Sequence, residues 1–249
     1  MKLTFLGTAA GVPRKDHACS SAVIETGGKY YIIDAGAPVV NKLLDMDKTI
    51  EDIEAVFVTH AHSDHLFGIV DLIRCVNIPK IFPKADIDYY LPEECVIAPI
   101  KNYFKAAMGG IREDVNRFHV YSEGVIFEDE NIRLTAIPTQ HMKLSERPSY
   151  AFLAECEEKR ILFTGDMSQN LKFDDFPKIA ESEMLDAIVT EGAHFDFETV
   201  APVLKKCKAK RVFFNHMKLT NIDAVREADK TGEYPFPMTV VNDGESYDF

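Results

Sequence analysis

Short runs of β-branched and aromatic residues recur along the whole chain, separated by polar and glycine-containing turns. Such runs are typical of β-strands, and they predict strands over residues 2–6, 21–25, 29–33, 55–59, 88–91, 132–137, 150–156, 160–164, 187–189, 211–215 and 239–241. Apolar residues at helical spacing predict helices near residues 39–44, 66–75, 93–107, 199–207 and 222–230. Short glycine-containing loops join the first three strands, which favours an antiparallel meander. Helices between the later strands indicate a layered α/β (α+β) fold in which helices cover sheet faces.

The chain contains no internal repeat, no low-complexity tract and no Ser/Gly-rich linker. Because 249 residues suit one large domain, we expect a single domain over residues 1–249. The least regular segment is 77–86, which contains Pro79 and Pro83. Both a small cap over a site and a plain surface connection fit this segment, and the same question extends to residues 77–116.

Composition narrows the class of protein. Hydrophobic residues make up 46% and charged residues 27% of the chain, which is typical of a globular protein and excludes disorder or coiled coil throughout. No apolar run is long enough to cross a membrane, and we interpret the first residues as a strand instead of a signal segment. A net charge of −12 disfavours nucleic acid and membrane surfaces as partners. The five widely spaced cysteines indicate reduced thiols and a cytoplasmic location.

Four side chains that can bind metal ions lie within six positions, directly after the apolar strand that ends at Val58: His60, His62, Asp64 and His65. On an extended strand end, His60 and His62 point the same way, while Asp64 and His65 follow around the turn. Imidazole and carboxylate groups suit Zn²⁺, Mn²⁺ or Fe²⁺, and paired ions of a hydrolytic centre lie about 3.5–4 Å apart. A polar loop that is rich in histidine by chance is the structural alternative.

Three further candidate ligands each follow a predicted strand. They are His141 after strand 132–137, Asp166 after strand 160–164, and His216 after strand 211–215. A lone His or Asp at a strand end is usually a capping or loop residue. Together, however, the three share one arrangement, strand then ligand, which predicts that they meet at one edge of the fold.

These motifs resemble the metallo-β-lactamase superfamily over essentially the whole chain. The resemblance rests on the His-x-His-x-Asp-His run, Thr164-Gly165-Asp166, the strand-end His216, the opening segment 6–13, and the turn 32–36 that contains Asp34. It implies an αββα sandwich with two divalent metal ions, zinc foremost and manganese or iron as alternatives. By position it assigns His60, His62 and His141 to one ion, Asp64, His65 and His216 to the other, and Asp166 to both, with the turn at Asp34 supporting the metal loop.

Within the superfamily, the Leu-Gly-Thr opening and the all-His/Asp ligand set resemble the ribonuclease Z and cyclic phosphodiesterase branch. Two features depart from ribonuclease Z. Asp166 follows His141 by only 25 positions, which leaves no room for a basic arm that grips tRNA, and the His-Ser-Thr segment before the last ligand is missing. With the acidic net charge, these departures disfavour tRNA as the substrate.

Three histidines remain. His194 follows the strand 187–189, whose expected neighbours both end in proposed ligands, and we predict that it lies at the site as a catalytic or a supporting residue. His17 lies in the loop after the first strand, where substrate contact and simple solvation both remain open. His119 alternates with Phe118 and Val120 inside a strand and is expected to be structural.

The sequence therefore predicts a metal-dependent hydrolase of a small-molecule phosphodiester or related ester, which acts through a hydroxide that bridges the metals. Asp64 would orient this nucleophile, and His194 or His17 would assist the leaving group. The alternatives are a tRNA 3′-processing endonuclease, a lactone or thioester hydrolase, and a non-catalytic member of the fold that binds a metabolite or partner. The oligomeric state stays open, a homodimer included.

Overall fold

The computed structural model describes residues 1–249 and contains two seven-stranded sheets. Its contacts divide the chain into two compact units: unit 1 comprises residues 1–7, 11–121 and 243–248, and unit 2 comprises residues 8–10, 122–242 and 249. The single domain expected from the sequence stays a prediction. None of its helices is both long and apolar enough to cross a bilayer.

The sheet of unit 1 has the strand order β14-β1-β2-β3-β4-β5-β6. Its strands are β1 (Lys2–Gly7), β2 (Ser21–Thr26), β3 (Lys29–Ala35), β4 (Ile53–Phe57), β5 (Ile87–Leu91), β6 (Asn116–Val120) and β14 (Ser246–Asp248). The first three strands form the predicted antiparallel meander, and β3 to β6 continue in parallel. Because β3 and β4 are parallel neighbours, the residues that follow them lie at the same edge of this sheet.

Helices cover one face of this sheet. They are α1 (Val39–Leu44), α2 (Ser63–Leu66), α3 (Gly68–Val76) and α4 (Ile97–Met108). The core between them contains Val39, Leu72 and Phe104 from the helices and Ile32 and Val56 from the sheet, all nearly or fully buried. The segment 77–86 holds neither helix nor strand, whereas α4 contributes Ile97, Ile100 and Phe104 to the core.

The helix predicted over residues 66–75 is two helices in the structure, which are separated at Phe67. A Cβ atom at position 68 would lie 2.6 Å from the carbonyl oxygen of Ala35 and from a methyl group of Val39. Glycine therefore lets the chain pass close to the end of β3. The first of the two helices begins at Ser63, three residues earlier than predicted, and carries Asp64 and His65.

The sheet of unit 2 has the order β13-β12-β11-β10-β9-β8-β7. Its strands are β7 (Gly124–Glu128), β8 (Arg133–Pro138), β9 (Tyr150–Cys156), β10 (Lys159–Phe163), β11 (Ala187–Gly192), β12 (Val212–Met217) and β13 (Met238–Val240). Strands β7 to β10 are antiparallel, and β10 to β13 are parallel. The helices of this unit are α5 (Ile179–Ser182), α6 (Phe197–Leu204) and α7 (Leu219–Thr231).

One face of this second sheet also packs against helices. Leu162, Ile188 and Phe214 of the strands share a buried core with Val200 of α6 and Val225 of α7. The parallel order β10-β11-β12 confirms the expectation that the strand before His194 lies between the strands that precede Asp166 and His216. Their carboxyl-terminal ends therefore share one edge of the sheet.

Candidate metal centre

The His-x-His-x-Asp-His run of unit 1 begins three residues after the buried strand β4 ends. Nε2 of His60 lies 3.0 Å from Nδ1 of His62, and the ring centroids of His60 and His65 are 4.2 Å apart. His60, Asp64 and His65 are buried, whereas His62 is exposed. The run thus gathers four metal-binding side chains into one small cluster, as the spacing predicts.

Asp34 holds this cluster in place from the end of β3. Its carboxylate accepts hydrogen bonds from the backbone N–H of Thr59 at 2.7 Å and from the Thr59 hydroxyl at 3.0 Å. Nδ1 of His65 lies 2.7 Å from the same carboxylate. Because Nδ1–H of His65 donates to Asp34, the lone pair of His65 lies on Nε2, which is 3.6 Å from Oδ2 of Asp64. This is the arrangement that orients a histidine for metal binding, and it agrees with the supporting role implied for the turn at Asp34.

The loop after β1 fixes the carboxylate of Asp64. The backbone N–H of Gly11 donates to Oδ2 of Asp64 at 2.9 Å, and Gly11 has a φ of +70°, which glycine adopts without strain. His17, farther along the same loop, forms an isolated β-bridge with Arg14, and its Nδ1 lies 3.9 Å from Oδ1 of Asp243. These contacts tie His17 to the segment before β14, and its predicted substrate contact stays a prediction.

In unit 2, the remaining predicted ligands are His141, Asp166 and His216, and the two histidines lie beside the buried carboxylate of Asp166. Oδ2 of Asp166 lies 3.8 Å from Nε2 of His141 and 3.4 Å from Nε2 of His216. His141 follows β8, Asp166 follows β10, and His216 lies on β12 with a left-handed φ of +49°. The structure therefore brings together the three strand-end residues of this sheet.

The environment of His141 favours the neutral imidazole that metal binding requires. Burial lowers the pKa of His141, and the attraction of Asp166 opposes this only in part. Nδ1 of His141 lies 3.2 Å from the carbonyl oxygen of Met167. Since a carbonyl only accepts, this nitrogen carries the proton and Nε2 presents its lone pair towards Asp166.

His194 lies beside these ligands, with its ring centroid 4.5 Å from that of His141. Its Nδ1 is 2.9 Å from Oε2 of Glu191 and 3.8 Å from Oδ2 of Asp166. Asp166, Glu191 and His194 form a group whose ligand atoms all lie within 4.8 Å of one another. The structure thus places His194 with His141 and Asp166, next to a carboxylate that the sequence analysis did not assign to the site.

Glu191 is the main residue of this cluster that the sequence did not predict. It is 2% exposed, and its carboxylate accepts hydrogen bonds from the backbone N–H groups of Met167, Ala193 and His194 at 2.8–2.9 Å. These bonds fix the loop after Asp166 and the turn that carries His194. The signal that could have identified it is an acidic residue two positions after the apolar run 187–189, because a carboxylate that continues a buried strand must be paired with hydrogen-bond donors.

Asp175 is a second unpredicted residue, and it connects the loops of His141 and Asp166. Its carboxylate accepts from the backbone N–H groups of Gln140 and Ser168, both at 2.8 Å, and from the Ser168 hydroxyl at 2.6 Å. Gln140 directly precedes His141, and Ser168 follows Asp166 by two positions. The Thr139 hydroxyl adds a bond to the carbonyl oxygen of Asp166 at 3.2 Å.

His119 has the structural role that the sequence predicts for it. It lies on β6, stacks on Tyr90 with ring centroids 4.6 Å apart, and its Nε2 is 2.5 Å from Oδ1 of Asp88. The contacts described for His119 are therefore within the sheet of unit 1 and not with the histidine run.

Comparison with known proteins identifies the fold. A ribonuclease Z from Synechococcus sp. (strain CC9311) is 27% identical over 209 residues, which cover 80% of this chain and 64% of that protein. The metallo-β-lactamase fold protein YhfI from Bacillus subtilis superposes with a TM-score of 0.75 and 17% identity over 99% of both chains. A diphosphatase from the PhnP family has a TM-score of 0.72 and 19% identity and covers 100% of this chain and 97% of its own. The predicted metallo-β-lactamase fold is thereby confirmed.

The class defined by this fold is that of the metallo-β-lactamase fold proteins. More narrowly, the family model described as "Anti-Pycsar protein Apyc1" matches residues 1–232, and the chain belongs to that family. The His/Asp clusters are of the kind that binds divalent metal ions.

The same comparisons bear on the expected partners. The chain spans less than two thirds of the length of the ribonuclease Z relatives that it matches, and a ribonuclease, by its name, acts on RNA. The expectation that nucleic acid is a disfavoured partner is therefore not supported. The net charge describes the whole chain, and a local cluster of basic residues is enough to offset it.

Proposed function

We propose that this chain hydrolyses a phosphodiester bond in a small molecule with the help of two divalent metal ions, zinc foremost. The supporting observation is the buried carboxylate of Asp166, which faces Nε2 of both His141 and His216. A single carboxylate between two imidazole nitrogens, one of which has its lone pair directed towards it, has the chemistry expected of a bridging ligand.

The proposed ligand set has seven donors. His60, His62 and His141 would bind one ion, Asp64, His65 and His216 the other, and Asp166 both. When bound, two divalent ions supply the acidity that deprotonates water near neutral pH and the positive charge that stabilises a phosphorane-like transition state.

The side chains of the chain itself have distinct roles in this proposal. Asp64, whose Oδ2 is held by Gly11, orients the attacking water. His194, held at Nδ1 by Glu191, presents Nε2 to the leaving-group oxygen and protonates it, as an imidazole oriented by a carboxylate does in other hydrolytic sites. A cytoplasmic location is part of the proposal, and it agrees with the finding that none of the five cysteines forms a disulfide.

Elemental analysis tests the metal requirement directly. We expect close to two transition-metal ions per chain in the purified protein, and a lower content in Asp166→Ala with loss of turnover and a retained fold. A protein that contains no metal and takes up none from Zn²⁺ or Mn²⁺ would refute the proposal, as would an Asp166→Ala variant that hydrolyses phosphodiesters at the wild-type rate.

A substrate panel tests the reaction class. It comprises bis(p-nitrophenyl) phosphate, a 3′,5′-cyclic mononucleotide, a homoserine lactone, an acyl thioester and a tRNA precursor. Turnover of the first two supports the proposal. The names of the ribonuclease Z relatives favour tRNA 3′-end cleavage as the second candidate, and efficient, salt-sensitive cleavage of the precursor alone would establish that function instead.

A further inference from the structure

Hydrogen bonds hold the turn that carries His194 from several sides. The carboxylate of Glu191 accepts from the backbone N–H of His194 at 2.9 Å. Nδ2 of Asn221, a buried residue of α7, donates to the carbonyl oxygen of Gly192 at 2.8 Å and to that of Phe195 at 2.6 Å. The backbone before and after His194 is therefore fixed.

The carbonyl group of His194 is bound by a different segment, the one that follows Asp166. Nε2 of Gln169 donates to this carbonyl oxygen at 2.6 Å, and the backbone N–H of Asn170 donates to it at 2.9 Å. Since a carbonyl oxygen only accepts, Gln169 presents its NH₂ group here. Its side chain thus connects the segment after a proposed metal ligand with the backbone of the proposed general acid.

The backbone of this segment has an unusual conformation where it makes these bonds. Asn170 has a φ of +53° and Leu171 a φ of +50°, a left-handed conformation that is rare for leucine. The N–H of Leu171 donates to the carbonyl oxygen of Ser168 at 2.8 Å, and Asp175 accepts from both the N–H and the hydroxyl of Ser168. Because a strained backbone persists only where its surroundings determine it, the segment is a rigid support for the turn.

The ring of His194 lies among proposed ligands, so its orientation decides what it can reach. Its centroid is 4.5 Å from that of His141 and 6.1 Å from that of His216, and its Nδ1 is 2.9 Å from Oε2 of Glu191. The contact with Glu191 fixes the nitrogen that carries the proton, but a ring held at one atom still pivots about that atom. A second fixed point, the carbonyl group that Gln169 binds, restricts this rotation.

Gln169 differs in burial from the other side chains that hold this turn. Gln169 is exposed, whereas Glu191 is 2% and Asn221 is 4% exposed. Removal of a buried hydrogen-bonding group leaves its partner unpaired and destabilises the fold, but at an exposed position water replaces the lost donor. Water does not tie the carbonyl group to the segment after Asp166, however. The placement of His194 therefore depends on Gln169 more than the stability of the fold does.

We propose that Gln169 is a positioning residue, which directs Nε2 of His194 at the leaving-group oxygen by binding the carbonyl group of His194. The inference rests on the proposed function, because it takes His194 as the acid of that reaction. In this step the P–O bond to the leaving group breaks, and the departing oxygen keeps the electron pair of that bond and takes the proton from Nε2. Solvent then returns a proton to the imidazole. Gln169 should therefore matter most where the leaving group requires a proton.

Two substrates with different leaving groups test this inference on the metal-loaded chain. The ribose oxygen of a 3′,5′-cyclic mononucleotide needs a proton to leave, whereas the nitrophenolate of bis(p-nitrophenyl) phosphate leaves as a stable anion. Gln169→Met keeps the length of the side chain and removes the donor. We expect it to lower kcat about fivefold or more for the cyclic nucleotide and less than about twofold for the nitrophenyl ester. Metal content and the urea midpoint should not change.

The same substitution beside His141 provides the matched control. Gln140→Met should leave the ratio of the two kcat values unchanged. In a His194→Ala background, Gln169→Met should change kcat for the cyclic nucleotide by less than about twofold, because the residue through which it acts is already gone. Equal losses for both substrates, or a full loss in the His194→Ala background, would overturn the inference. A fall in metal content would also overturn it, in favour of a role for Gln169 in holding Asp166.

Ring motion gives a readout that does not depend on turnover. The Cε1–H signal of His194 is assigned by its absence in His194→Ala, and ¹³C relaxation of the protein as purified measures its order parameter. If the wild type hydrolyses neither substrate, the proposed function fails and this measurement decides the inference alone. An order parameter that falls in Gln169→Met but not in Gln140→Met then supports the positioning role, and an unchanged order parameter overturns it.

Discussion

Nδ1 of His194 lies 2.9 Å from the carboxylate of Glu191, a residue that is itself held by three backbone N–H groups. This pairing fixes both the tautomer and the orientation of the imidazole. Since Nδ1 is committed to Glu191, Nε2 is the nitrogen that can act on a substrate. This arrangement is the one that the proposed role of His194 as a general acid requires.

His194→Ala is expected to lower kcat about 100-fold or more with unchanged metal content, because general acid–base groups contribute at least that much. Glu191→Gln should lower kcat as well, since an amide fixes the orientation of His194 less firmly than the carboxylate does. Steady-state kinetics and elemental analysis measure both effects. His119→Ala, which removes a half-buried histidine of β6 that pairs with Asp88, is the control. A metal content that falls in parallel with activity would show that His194 supports the ligands instead of the reaction.

Asp34→Asn is expected to weaken metal binding about 10- to 100-fold, the usual effect of removing the carboxylate behind a ligating histidine. Asparagine tolerates the left-handed backbone of residue 34, whose φ is +59°. A loss of metal affinity would therefore be due to the changed side chain and not to a strained backbone. The amide can no longer fix the proton of His65 on Nδ1. Competition with a chromophoric chelator measures the change in affinity.

Thr59→Val provides the comparison for that experiment. It removes the hydroxyl that donates to Asp34 and lies 3.1 Å from Nδ1 of His60, but it leaves the contact between Asp34 and His65 intact. Metal affinity should therefore fall much less in Thr59→Val than in Asp34→Asn. Equal losses would mean that the general packing of the turn matters and not the orientation of His65.

Asp175→Asn is expected to lower the free energy of unfolding by about 2–3 kcal/mol and to reduce metal content. The carboxylate accepts three short hydrogen bonds in a buried position, and an amide nitrogen would face one of these donors unpaired. The neighbouring Asp174 is 77% exposed at its side chain and pairs only with Lys178 at 2.9 Å. Asp174→Asn should therefore change the stability by less than about 0.5 kcal/mol. Urea unfolding compares the two variants, and similar losses would contradict the role given to Asp175.

The cysteines should differ sharply in reactivity. Burial raises the pKa of Cys156 and of Cys207 to about 12, whereas Cys95 is exposed. Because only the thiolate reacts, a raised pKa keeps Cys156 and Cys207 protonated and inert at about pH 8. Titration with a disulfide reagent should show a fast phase that disappears in Cys95→Ser. Reaction of Cys156 and Cys207 is expected only in denaturant, and their rapid modification in the folded protein would contradict the burial described here.

The placement of the candidate ligands within each unit follows from the sequence because β-strands position what comes after them. Asp166 and His216 each come at the end of a run of buried apolar residues, and His141 follows β8, in which buried residues alternate with more exposed ones. The parallel order β10-β11-β12 brings the ends of β10 and β12 to one edge. The histidine run of unit 1 is local, so its spacing alone predicts that His60, His62 and His65 cluster. Their joint use in one dinuclear centre stays a proposal.

Other features of the structure cannot be predicted from the sequence. Strands β7 and β14 lie at sheet edges and are largely exposed, so their apolar pattern is weak. Asp175 could not be predicted, because its partners are backbone N–H groups in two loops and one serine hydroxyl, which no spacing in the sequence reveals. The break between α2 and α3 depends on the close approach of Gly68 to Ala35 of β3, which is distant in the sequence.

The hairpin between β9 and β10 offers a point of attachment. Its turn, Glu157-Glu158, has a positive φ at both positions and is exposed, as in a tight two-residue hairpin turn. Strand β9 runs away from the loop of His141, and β10 returns to Asp166, so about 17 Å of strand separates the turn from either residue. Glu157-Glu158 is therefore a position where a fluorescent label, an affinity tag or a whole domain can be added. Such an addition would not disturb the clustered side chains of unit 2.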